Sequence, residues 1–396
     1  MPSILFINRV YPPAKGATGD MLQGMAEALA LRGWEVTILT TAAAGEPKKT
    51  TRRGVRILRS GGALSRRHVL LRAASYVFMI PSLITRGLLL PRTDFVVTMT
   101  DPPMLAVAGL ALKYFKRNRV IHWAQDLYPE VAEELGVLPR GNAISNLLRR
   151  LSTEALMRSD AVVAIGRCMA SRLTARGISY AKISIIPNWA PAIQSLDRAN
   201  NPFRARHELE GQFVVAYSGN MGLAHDFDTV LDAAEKLRGQ RVVFLFIGDG
   251  PRRVEVEAAA RLRGIDNIRF LPSQPADKLS ESLSAADAHL VTMRTNLCGL
   301  VVPSKVYGVL AAGRPCLFVG PADSEAARLI RETDSGFVVE PGQSSQLASE
   351  ILDWAGNPTL HAAACRKARI AGAMGTAHNA AEAFDEMLRN LASEKP

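Results

Sequence analysis

Cysteine is scarce in this chain. Only four cysteines occur in 396 residues, at positions 168, 298, 316 and 365, and no two of them have CxxC spacing. Disulfide-rich scaffolds and cysteine zinc sites depend on such spacing, and no cluster of histidine and cysteine replaces it. The sequence therefore predicts a reduced, cytoplasmic protein that binds no metal ion.

Long apolar runs are also missing. Residues 69–91 are apolar, but Arg72, Pro81 and Arg86 interrupt them, so no span of about twenty apolar residues remains for a transmembrane helix. The apolar start at residues 4–7 lacks the charged region and cleavage site of a signal peptide, and it is typical of a first strand. Two interpretations of residues 69–91 stay open: a helix in a membrane interface, or two core helices beside a solvated loop.

Acidic side chains are absent from residues 47–93, although this stretch holds eleven basic ones. The first 200 residues carry 27 basic and 13 acidic side chains, a net charge of +14, whereas the remainder carries 21 and 24, a net charge of −3. Because no nucleic-acid motif or series of interleaved aromatic residues accompanies the strip, we expect it to meet an anionic membrane surface and no nucleic acid. The basic residues are Lys48, Lys49, Arg52, Arg53, Arg56, Arg59, Arg66, Arg67, Arg72, Arg86 and Arg92.

The length and the order of apolar segments predict two domains. A chain of this size suits two cores of roughly 200 residues each. In both halves an apolar strand, a glycine-marked loop and a helix come first, and further strands then alternate with helices, which is typical of parallel doubly wound α/β sheets. Polar residues without periodicity at 191–210 predict a linker between domains at 1–190 and 211–376. A last helix follows at 377–396.

The segment at 297–320 carries the strongest local signal for a ligand. Pro303 and Ser304 stand where a helix begins, since proline suits the first turn and serine can cap it. Lys305 then places a cation beside backbone N–H groups that have no partner in the helix, which continues through residues 306–312. We expect a diphosphate to bind here, with an ordinary helix–turn–strand connection as the alternative.

Two further loops follow predicted strands in the N-terminal half. Gly16 and Gly19 belong to a loop that lacks both G-x-G-x-x-G spacing and a Walker lysine, so it is either a tight turn or a contact to sugar or phosphate. His122, Gln125 and Asp126 follow another strand and could line an acceptor site. A lone histidine is more often structural than catalytic, so Asp126 is the better candidate for a direct role.

Five motifs occur in an order that resembles the retaining nucleotide-sugar glycosyltransferases of family 4. The resemblance covers nearly the whole chain and is strongest to the branch that builds bacterial surface polysaccharides, such as the colanic-acid and O-antigen fucosyl- or N-acetylfucosaminyltransferases. The motifs are Tyr11-Pro12-Pro13 with the glycine loop after it, Ile186-Pro187-Asn188, the segment from Tyr217 to Gly222, the segment from Phe246 to Pro251, and the segment from Val302 to Pro315.

The resemblance implies a GT-B fold, in which two Rossmann-like domains face each other across a cleft and the C-terminal helix packs back on the first domain. It implies a UDP- or GDP-sugar as donor, with no other cofactor, and a polyprenyl-linked saccharide as acceptor. Such a protein works at the inner face of the cytoplasmic membrane, to which it is peripherally attached.

The resemblance also implies roles for individual residues. Lys305 and Asp126 are the expected catalytic residues, and His122, Gln125 and Asp126 are the expected acceptor contacts. The expected donor and diphosphate contacts are Gly16, Gly19, Gly219, Asn220, Gly222, Arg294, Ser304 and Lys305. The expected nucleotide contacts are Gly248, Asp249, Gly250, Leu271 and Gln274.

The chain departs from the family pattern at two places. Many members have two glutamates eight positions apart, where an ungapped reading places Leu300 and Gly308. Many also have an arginine and a lysine that grip the diphosphate, where this chain has Asn220 and either His225 or Asp226. We therefore expect Lys305 and Arg294 to supply the positive charge that stabilises the leaving group. The alternatives to a transferase are a nucleotide-sugar epimerase and a noncatalytic scaffold for membrane assembly.

Overall fold

The computed structural model describes residues 1–14, 16–42, 45–60, 69–190 and 193–393, with the side chains of residues 69–77 excepted. The chain divides into two compact units, which do not follow one another simply along the sequence. The first comprises Met1–Pro187, Gly299–Val301 and Ala377–Pro396. The second comprises Asn188–Cys298 and Val302–Thr376.

An eight-stranded sheet forms the centre of the first unit, with the strand order β3-β4-β2-β1-β5-β6-β7-β8. All neighbouring strands run parallel except β3 and β4. The strands are β1 Ser3–Ile7, β2 Glu35–Thr41, β3 Lys49–Arg52, β4 Val55–Ser60, β5 Phe95–Thr98, β6 Arg119–Ala124, β7 Ala161–Ala164 and β8 Ile183–Ile185.

The β3–β4 hairpin adds an antiparallel edge that the sequence did not predict. Arg53 and Gly54 connect the two strands, and both have positive φ, +49° and +79°. This conformation suits a two-residue turn between twisted strands, so part of the basic strip forms a hairpin. A connection of two residues is too short for a parallel crossover, which explains why the sheet departs from purely parallel order here.

The helices of the first unit cover the sheet and bury its apolar residues. α2 is one continuous helix with Pro81 inside it, rather than a pair of helices, and it packs with α3 over strands β1, β2 and β5. The helices are α1 Ala17–Leu31, α2 Val69–Leu89, α3 Ala106–Lys116, α4 Glu130–Glu134, α5 Ala143–Arg158, α6 Arg167–Ala175 and, from the end of the chain, α15 Ala377–Ser393.

The C-terminal helix α15 packs on the first unit, as the resemblance implies. Phe384 is completely buried, with its ring centroid 6.2 Å from that of Phe6 and 5.6 Å from that of Trp123. Trp34 Nε1 donates a 2.7 Å hydrogen bond to Asp385 Oδ1. Burial of an aromatic side chain of this kind stabilises the docking by about 2 kcal/mol.

A six-stranded, fully parallel sheet forms the centre of the second unit, with the order β11-β10-β9-β12-β13-β14. The strands are β9 Phe213–Ser218, β10 Val242–Ile247, β11 Ile268–Leu271, β12 Ala288–Thr292, β13 Cys316–Val319 and β14 Gly336–Val339. The helices are α7 Pro202–Arg206, α8 Asp228–Lys236, α9 Arg253–Leu262, α10 Leu279–Ser284, α11 Lys305–Ala311, α12 Glu325–Thr333, α13 Ser344–Gly356 and α14 Pro358–Met374.

The stretch predicted as a linker, 191–210, is structured where it is described. Residues 191 and 192 lie outside the described residues, and the rest clusters with the second unit. Arg204 in α7 is buried, and its guanidinium donates 2.7 Å hydrogen bonds to the carbonyls of Ala285 and Leu209. Such bonds to buried carbonyls tie the segment to the sheet that follows it.

Candidate functional site

The strongest candidate site lies at the carboxyl ends of β9 and β12 in the second unit. β9 has β10 on one side and β12 on the other, so the chain reverses its direction of winding at this strand. In open parallel sheets, ligands bind beyond the strand ends at such a switch point. The segments that follow these strands contain most of the predicted donor residues.

Glycines let the loops after β9 and β10 approach each other closely. Gly219 N donates a 2.9 Å hydrogen bond to the carbonyl of Ile247, and Met221 N donates a 2.7 Å bond to that of Asp249. A Cβ atom on Gly248, where φ is +139°, would lie only 2.1 Å from the carbonyl oxygen of Gly219. The predicted glycines therefore allow contact between backbones that no larger residue permits.

Lys305 is the central side chain of the cluster. Its ammonium group donates hydrogen bonds to the carbonyl of Asn220 at 2.9 Å, to Nε2 of His225 at 3.2 Å and to the hydroxyl of Tyr217. It also lies 4.0 Å from the centroid of the Tyr217 ring, a cation–π distance. Burial lowers the pKa of Lys305 from 10.5 to about 7.

His225 is fixed in one neutral form. Its Nδ1 lies 2.7 Å from the carbonyl oxygen of Thr292, which can only accept, so Nδ1 carries the hydrogen. Nε2 then presents its lone pair to Lys305. Burial, followed by the charge of Lys305, lowers the pKa of His225 to about 3. The imidazole therefore stays neutral at physiological pH and adds no charge of its own.

Arg294 supplies a second cation near this cluster. It follows β12, and its backbone N–H donates a 2.9 Å hydrogen bond to the carbonyl of Ala224. Its side chain is half-buried, and its charge contributes to lowering the pKa of His225. Among the residues that the structure describes, its guanidinium makes no ion pair. It is thus available to an anionic ligand.

The predicted cap at Ser304 is wrong in its detail. α11 begins at Lys305 as a short helix, and the Ser304 hydroxyl makes no capping hydrogen bond. Ser304 has helical backbone angles (φ −62°, ψ −16°), whereas a side chain caps from an extended backbone. The first turn is instead closed by bonds from Val306 N to the carbonyl of Pro303 and from Tyr307 N to that of Ser304. The Ser304 hydroxyl therefore remains available to a ligand.

The predicted nucleotide contacts also lie at the carboxyl ends of strands of this sheet. Gly248, Asp249 and Gly250 follow β10, and exposed Asp249 accepts a 2.9 Å hydrogen bond from the backbone N–H of Gly250. Leu271 ends β11, the next strand along. Gln274 is turned onto its own loop, because its Nε2 donates a 2.9 Å bond to the carbonyl of Pro272.

Gly16 and Gly19 lie in the first unit, unlike the other predicted donor residues. Gly16 precedes α1, and Gly19 is buried in its first turn. A Cβ atom on Gly19 would lie 2.9 Å from Cγ1 and 3.0 Å from the carbonyl oxygen of Val10. Close packing of the helix against the loop after β1 therefore requires glycine at 19. Lys15, in the same loop, lies outside the described residues.

Asp126 lies beyond the end of β6 in the first unit. It pairs in an isolated antiparallel bridge with Val301, and Leu127 N donates a 2.9 Å hydrogen bond to the carbonyl of Leu300. Burial, followed by the negative charge of Asp101, raises the pKa of Asp126 from 3.8 to about 6. Asp101 itself holds two hydrogen bonds from Arg9, at 2.5 and 2.8 Å.

The other predicted acceptor residues are buried near Asp126. His122 lies in β6 with its Nδ1 3.0 Å from the hydroxyl of Thr98. Burial, helped by the charge of Arg176, lowers the pKa of His122 to about 4, so the ring is neutral. Together with Asp126 and Arg176 it lines a cavity of about 20 Å³, which has room for about one water molecule. Gln125 is likewise buried.

Sequence reasoning missed the partners of the two predicted catalytic residues. Tyr217 and His225 surround Lys305, although they are about 80 positions away in the chain, and Asp101 and Arg176 accompany Asp126. The place of His225 in the motif after β9, where family members have charged residues, was the available signal. No group of three or more histidine, cysteine, aspartate or glutamate side chains is arranged to hold a metal ion within the described residues.

An exposed apolar tip lies where α2 and α3 end in the first unit. Tyr114 and Phe115 are 81% and 67% exposed, and their rings meet edge to face with centroids 5.2 Å apart. Lys116 donates hydrogen bonds to the carbonyls of Gly87 and Leu90 and so ties the end of α3 to the end of α2, where Leu89 is exposed. No helix in the described part of the chain has the length and apolarity needed to cross a membrane.

Solved structures define the class of protein to which this architecture belongs. Sucrose-phosphate synthase from Thermosynechococcus elongatus superposes with a TM-score of 0.79 at 17% identity, covering 99% of this chain and all of that one. Anabaena HepE in complex with UDP-glucose gives a TM-score of 0.74 at 15% identity, covering 98% and 99%. The chain therefore has the GT-B fold, with two Rossmann-like α/β domains.

Family comparisons identify both halves. The glycosyl transferase 4-like domain matches residues 16–189, and the domain described as glycosyl transferases group 1 matches residues 200–371. The chain thus consists of a glycosyl transferase 4-like domain followed by a group 1 glycosyl transferase domain.

Curated relatives carry glycosyltransferase names. The probable glycosyltransferase WbjE of Pseudomonas aeruginosa is 30% identical over 262 residues, and the putative colanic acid biosynthesis glycosyl transferase WcaI of Escherichia coli K12 is 28% identical over 260. The first match covers 66% of both chains and the second 63%. The chain thus matches slightly less than two thirds of the length of each relative.

Proposed function

We propose that this protein is a retaining glycosyltransferase of surface polysaccharide biosynthesis. It transfers a sugar from a nucleoside diphosphate donor to a polyprenyl diphosphate-linked saccharide in the cytoplasm. The two domain matches and the name of the colanic acid relative support this assignment. The observation that carries it is the cluster of Lys305, His225 and Tyr217 at the switch point of the second sheet.

The donor diphosphate binds against this cluster in our proposal. Lys305 and Arg294 supply two positive charges, and glycine at 219 leaves room for the Lys305 side chain, whose Cε would lie 2.8 Å from a Cβ atom there. Ser304 adds a hydroxyl group beside the lysine. HepE, which shares the fold, has a structure with UDP-glucose, and this supports a nucleotide sugar as the ligand.

Transfer breaks the bond between the anomeric carbon and the diphosphate oxygen, so negative charge develops on the leaving phosphate. Lys305 lies within a preorganised set of partners and stabilises that charge without further rearrangement. With retention, the oxygen of the acceptor hydroxyl bonds to the anomeric carbon on the face that the leaving phosphate occupied, and the proton of that hydroxyl passes to the leaving phosphate. Asp126, as a carboxylate, stabilises the positive charge that develops on the sugar ring.

A panel of nucleotide sugars tests the activity. Purified protein is incubated with each UDP- and GDP-sugar and a membrane extract, and the mass of the lipid-linked product is measured. We expect one donor to be transferred, and Lys305→Ala to lower turnover about a hundredfold while the protein stays folded. Lys236→Ala, which removes an exposed lysine from α8, is the matched control. Epimerisation of the donor without acceptor, or full activity of Lys305→Ala, would contradict the proposal.

The apolar tip formed by Leu89, Tyr114 and Phe115 is the proposed membrane contact. The sequence analysis predicts the membrane contact within residues 47–93. Of the basic residues in that strip, Arg66, Arg67 and the side chain of Arg72 lie outside the described residues. Arg59, by contrast, is buried and donates a 2.8 Å hydrogen bond to the carbonyl of Pro12, so it serves the fold. Exposed aromatic residues beside cations are suited to a lipid interface. The basic residues nearest in sequence are Lys113 and Lys116, followed by Arg86, Arg92 and Arg117.

Vesicle sedimentation tests this contact. The protein should bind vesicles of phosphatidylglycerol more tightly than vesicles of phosphatidylcholine, and salt should weaken the binding because it screens the charges. Replacing both Tyr114 and Phe115 by serine should weaken binding about tenfold, since two apolar side chains lose their burial in the interface. Tyr180→Ser, at another exposed tyrosine of the first unit, should bind like the parent. Equal binding by all three proteins would rule out the tip.

A further inference from the structure

A cavity of about 500 Å³ lies in the second unit at the amino-terminal ends of the strands, whereas the candidate site lies at their carboxyl ends. It is lined by Phe213 and Val242, which are the first residues of β9 and β10. Because these strands are parallel, their first residues lie at one end of the strands, and Gly219 and Gly248 lie at the other end. The cavity has the volume typical of a small-molecule site and is separate from the proposed donor site.

One part of the wall of this cavity is apolar. Phe213, Leu352 and Trp354 contribute to them, and Trp354 is only 4% exposed. The indole N–H of Trp354 donates no hydrogen bond to any other described residue, although buried indole N–H groups usually find a partner. An apolar body that also accepts a hydrogen bond would therefore fit against this wall.

The charged side chains of the lining are arginines. Arg198 and Arg241 line the cavity together with the polar Gln212, Gln240 and His361, and no aspartate or glutamate does. Arg241 is exposed and forms no ion pair among the described residues. This surplus stands out because the second half of the chain carries a net charge of −3.

Arg198 keeps an uncompensated charge in spite of its ion pair. Its Nη1 lies 2.8 Å from Asp287 Oδ1, but Arg204 lies 3.2 Å from Oδ2 of the same carboxylate. Two guanidinium groups thus share one negative charge, which leaves a net charge of +1. The Arg204 side chain is 5% exposed and that of Arg198 is 43% exposed, so the surplus is accessible on Arg198.

We propose that this cavity is a second ligand site, which binds a small anion with an apolar, ring-containing body. The anionic group, a phosphate or a sulfonate, lies between Arg198 and Arg241, and the ring packs against Phe213 and Trp354. Guanidinium groups bind phosphate through paired hydrogen bonds, and the ring replaces water along the apolar wall. The site does not depend on the proposed glycosyl transfer.

Three probes separate the two parts of this recognition. 1-Naphthyl phosphate has both the ring and the charge, 1-naphthol has the ring alone, and inorganic phosphate has the charge alone. In calorimetric titrations of the full chain, we expect 1-naphthyl phosphate to bind at least about tenfold more tightly than either of the others, because each contributes only one set of contacts. Equal affinity of all three probes, or no binding of 1-naphthyl phosphate, would overturn the proposal.

Variants locate the bound probe. Gly356 lines the cavity, and a Cβ atom there meets nothing within 4 Å, so Gly356→Phe fills the space without a clash at Cβ. It and Arg241→Glu should each weaken binding of 1-naphthyl phosphate about tenfold or more, because one removes space and the other reverses a charge. Arg366→Glu, at an exposed arginine outside the lining, is the matched control and should bind as the parent does.

Lys305→Ala distinguishes this cavity from the proposed donor site. It should bind 1-naphthyl phosphate like the parent, because Lys305 lies at the carboxyl ends of the strands and the cavity lies at their amino-terminal ends. Loss of binding in Lys305→Ala, with full binding in Gly356→Phe, would place the probe in the donor site and refute the cavity. Failure of glycosyl transfer in the nucleotide-sugar panel would leave this result unaffected.

Discussion

Lys305 in the second unit and Asp126 in the first are both half-buried ionisable groups, and burial moves their pKa values toward neutrality from opposite directions. The pKa of Lys305 falls to about 7, and that of Asp126 rises to about 6. In both cases the largest cause is removal of the charged form from water. Each group can therefore change its charge near physiological pH, as groups at functional sites often do.

The two groups differ in their partners. Lys305 donates hydrogen bonds to the carbonyl of Asn220, to His225 and to Tyr217, none of which carries a negative charge. The side chain of Asp126 has no hydrogen-bond partner among the described residues, and the negative charge of Asp101 opposes its ionisation. Hydrogen bonds thus orient the lysine without neutralising its charge, whereas no hydrogen bond orients the carboxylate and no positive charge neutralises it. An anion suits the first position and a developing positive charge the second.

The largest effect that separates these roles is expected for Asp126→Asn. If the carboxylate stabilises positive charge in the transition state, its loss should lower kcat/KM about a hundredfold or more. In the parent, the carboxylate predominates above its pKa of about 6, so kcat/KM should fall as the pH drops through that value. The variant should lack this acid limb, and a pH–rate profile from 5 to 8 measures it.

Asp101→Asn provides the control for that profile. It removes the negative charge that raises the pKa of Asp126 and leaves Arg9 without its carboxylate partner, so both changes favour ionised Asp126. The acid limb should therefore move to lower pH while activity at pH 7 persists. An unchanged limb in both variants would mean that another group produces it.

The strands of both sheets were predictable from the sequence because apolar runs fully buried in parallel sheets leave a clear pattern. Phe213–Ser218, Val242–Ile247 and Cys316–Val319 are such runs, and the glycines after the first two mark the carboxyl ends of the strands, where the candidate site lies. The β3–β4 hairpin was not predictable from that pattern, since Lys49–Arg52 has no apolar residue at all.

The contacts of each site residue could not be predicted from the sequence, for a different reason. Lys305 meets Tyr217 and His225 only because β9 and β12 are neighbours in the sheet, and strand order is a long-range property. The same applies to Arg198, Arg241 and Trp354, which three separate segments bring to one cavity. Sequence spacing predicts which face or loop a residue occupies, whereas pairing between distant segments decides what it touches.

The pH dependence of donor affinity should separate the role of Lys305 from that of Asp126, with an expected effect of about tenfold. A bound diphosphate favours the protonated form of Lys305, so binding takes up a proton wherever the free lysine is neutral. The dissociation constant of the donor should be constant below about pH 7 and then rise by up to about tenfold per pH unit, because the free pKa is about 7. Calorimetry in buffers of different ionisation enthalpy measures both the affinity and the proton uptake.

Lys305→Arg is the matched control for this pH dependence. An arginine stays protonated throughout this range, so its donor affinity should not vary between pH 6 and 9 even if it is weaker overall. Asp126→Asn should keep the parent's pH dependence of donor binding, since the carboxylate is assigned to catalysis rather than to the diphosphate. A flat profile in the parent would show that Lys305 does not contact the donor.

The smallest effect concerns stability and tests whether Lys305 is retained for function at a cost to the fold. Its pKa is lower in the folded protein than in the unfolded chain, so the unfolded state binds more protons between pH 7 and 10.5, and stability rises with pH over that interval. Below pH 7, the buried ammonium destabilises the fold by an amount on the order of a few kcal/mol. Lys305→Met removes this penalty, although His225 Nε2 then loses a donor. The melting temperature of Lys305→Met should exceed that of the parent at pH 6 by about 2–4 °C for each kcal/mol of net penalty removed, and the difference should shrink by pH 9. A difference that grows with pH would show that the ammonium stabilises the fold, and Lys305 would then be structural.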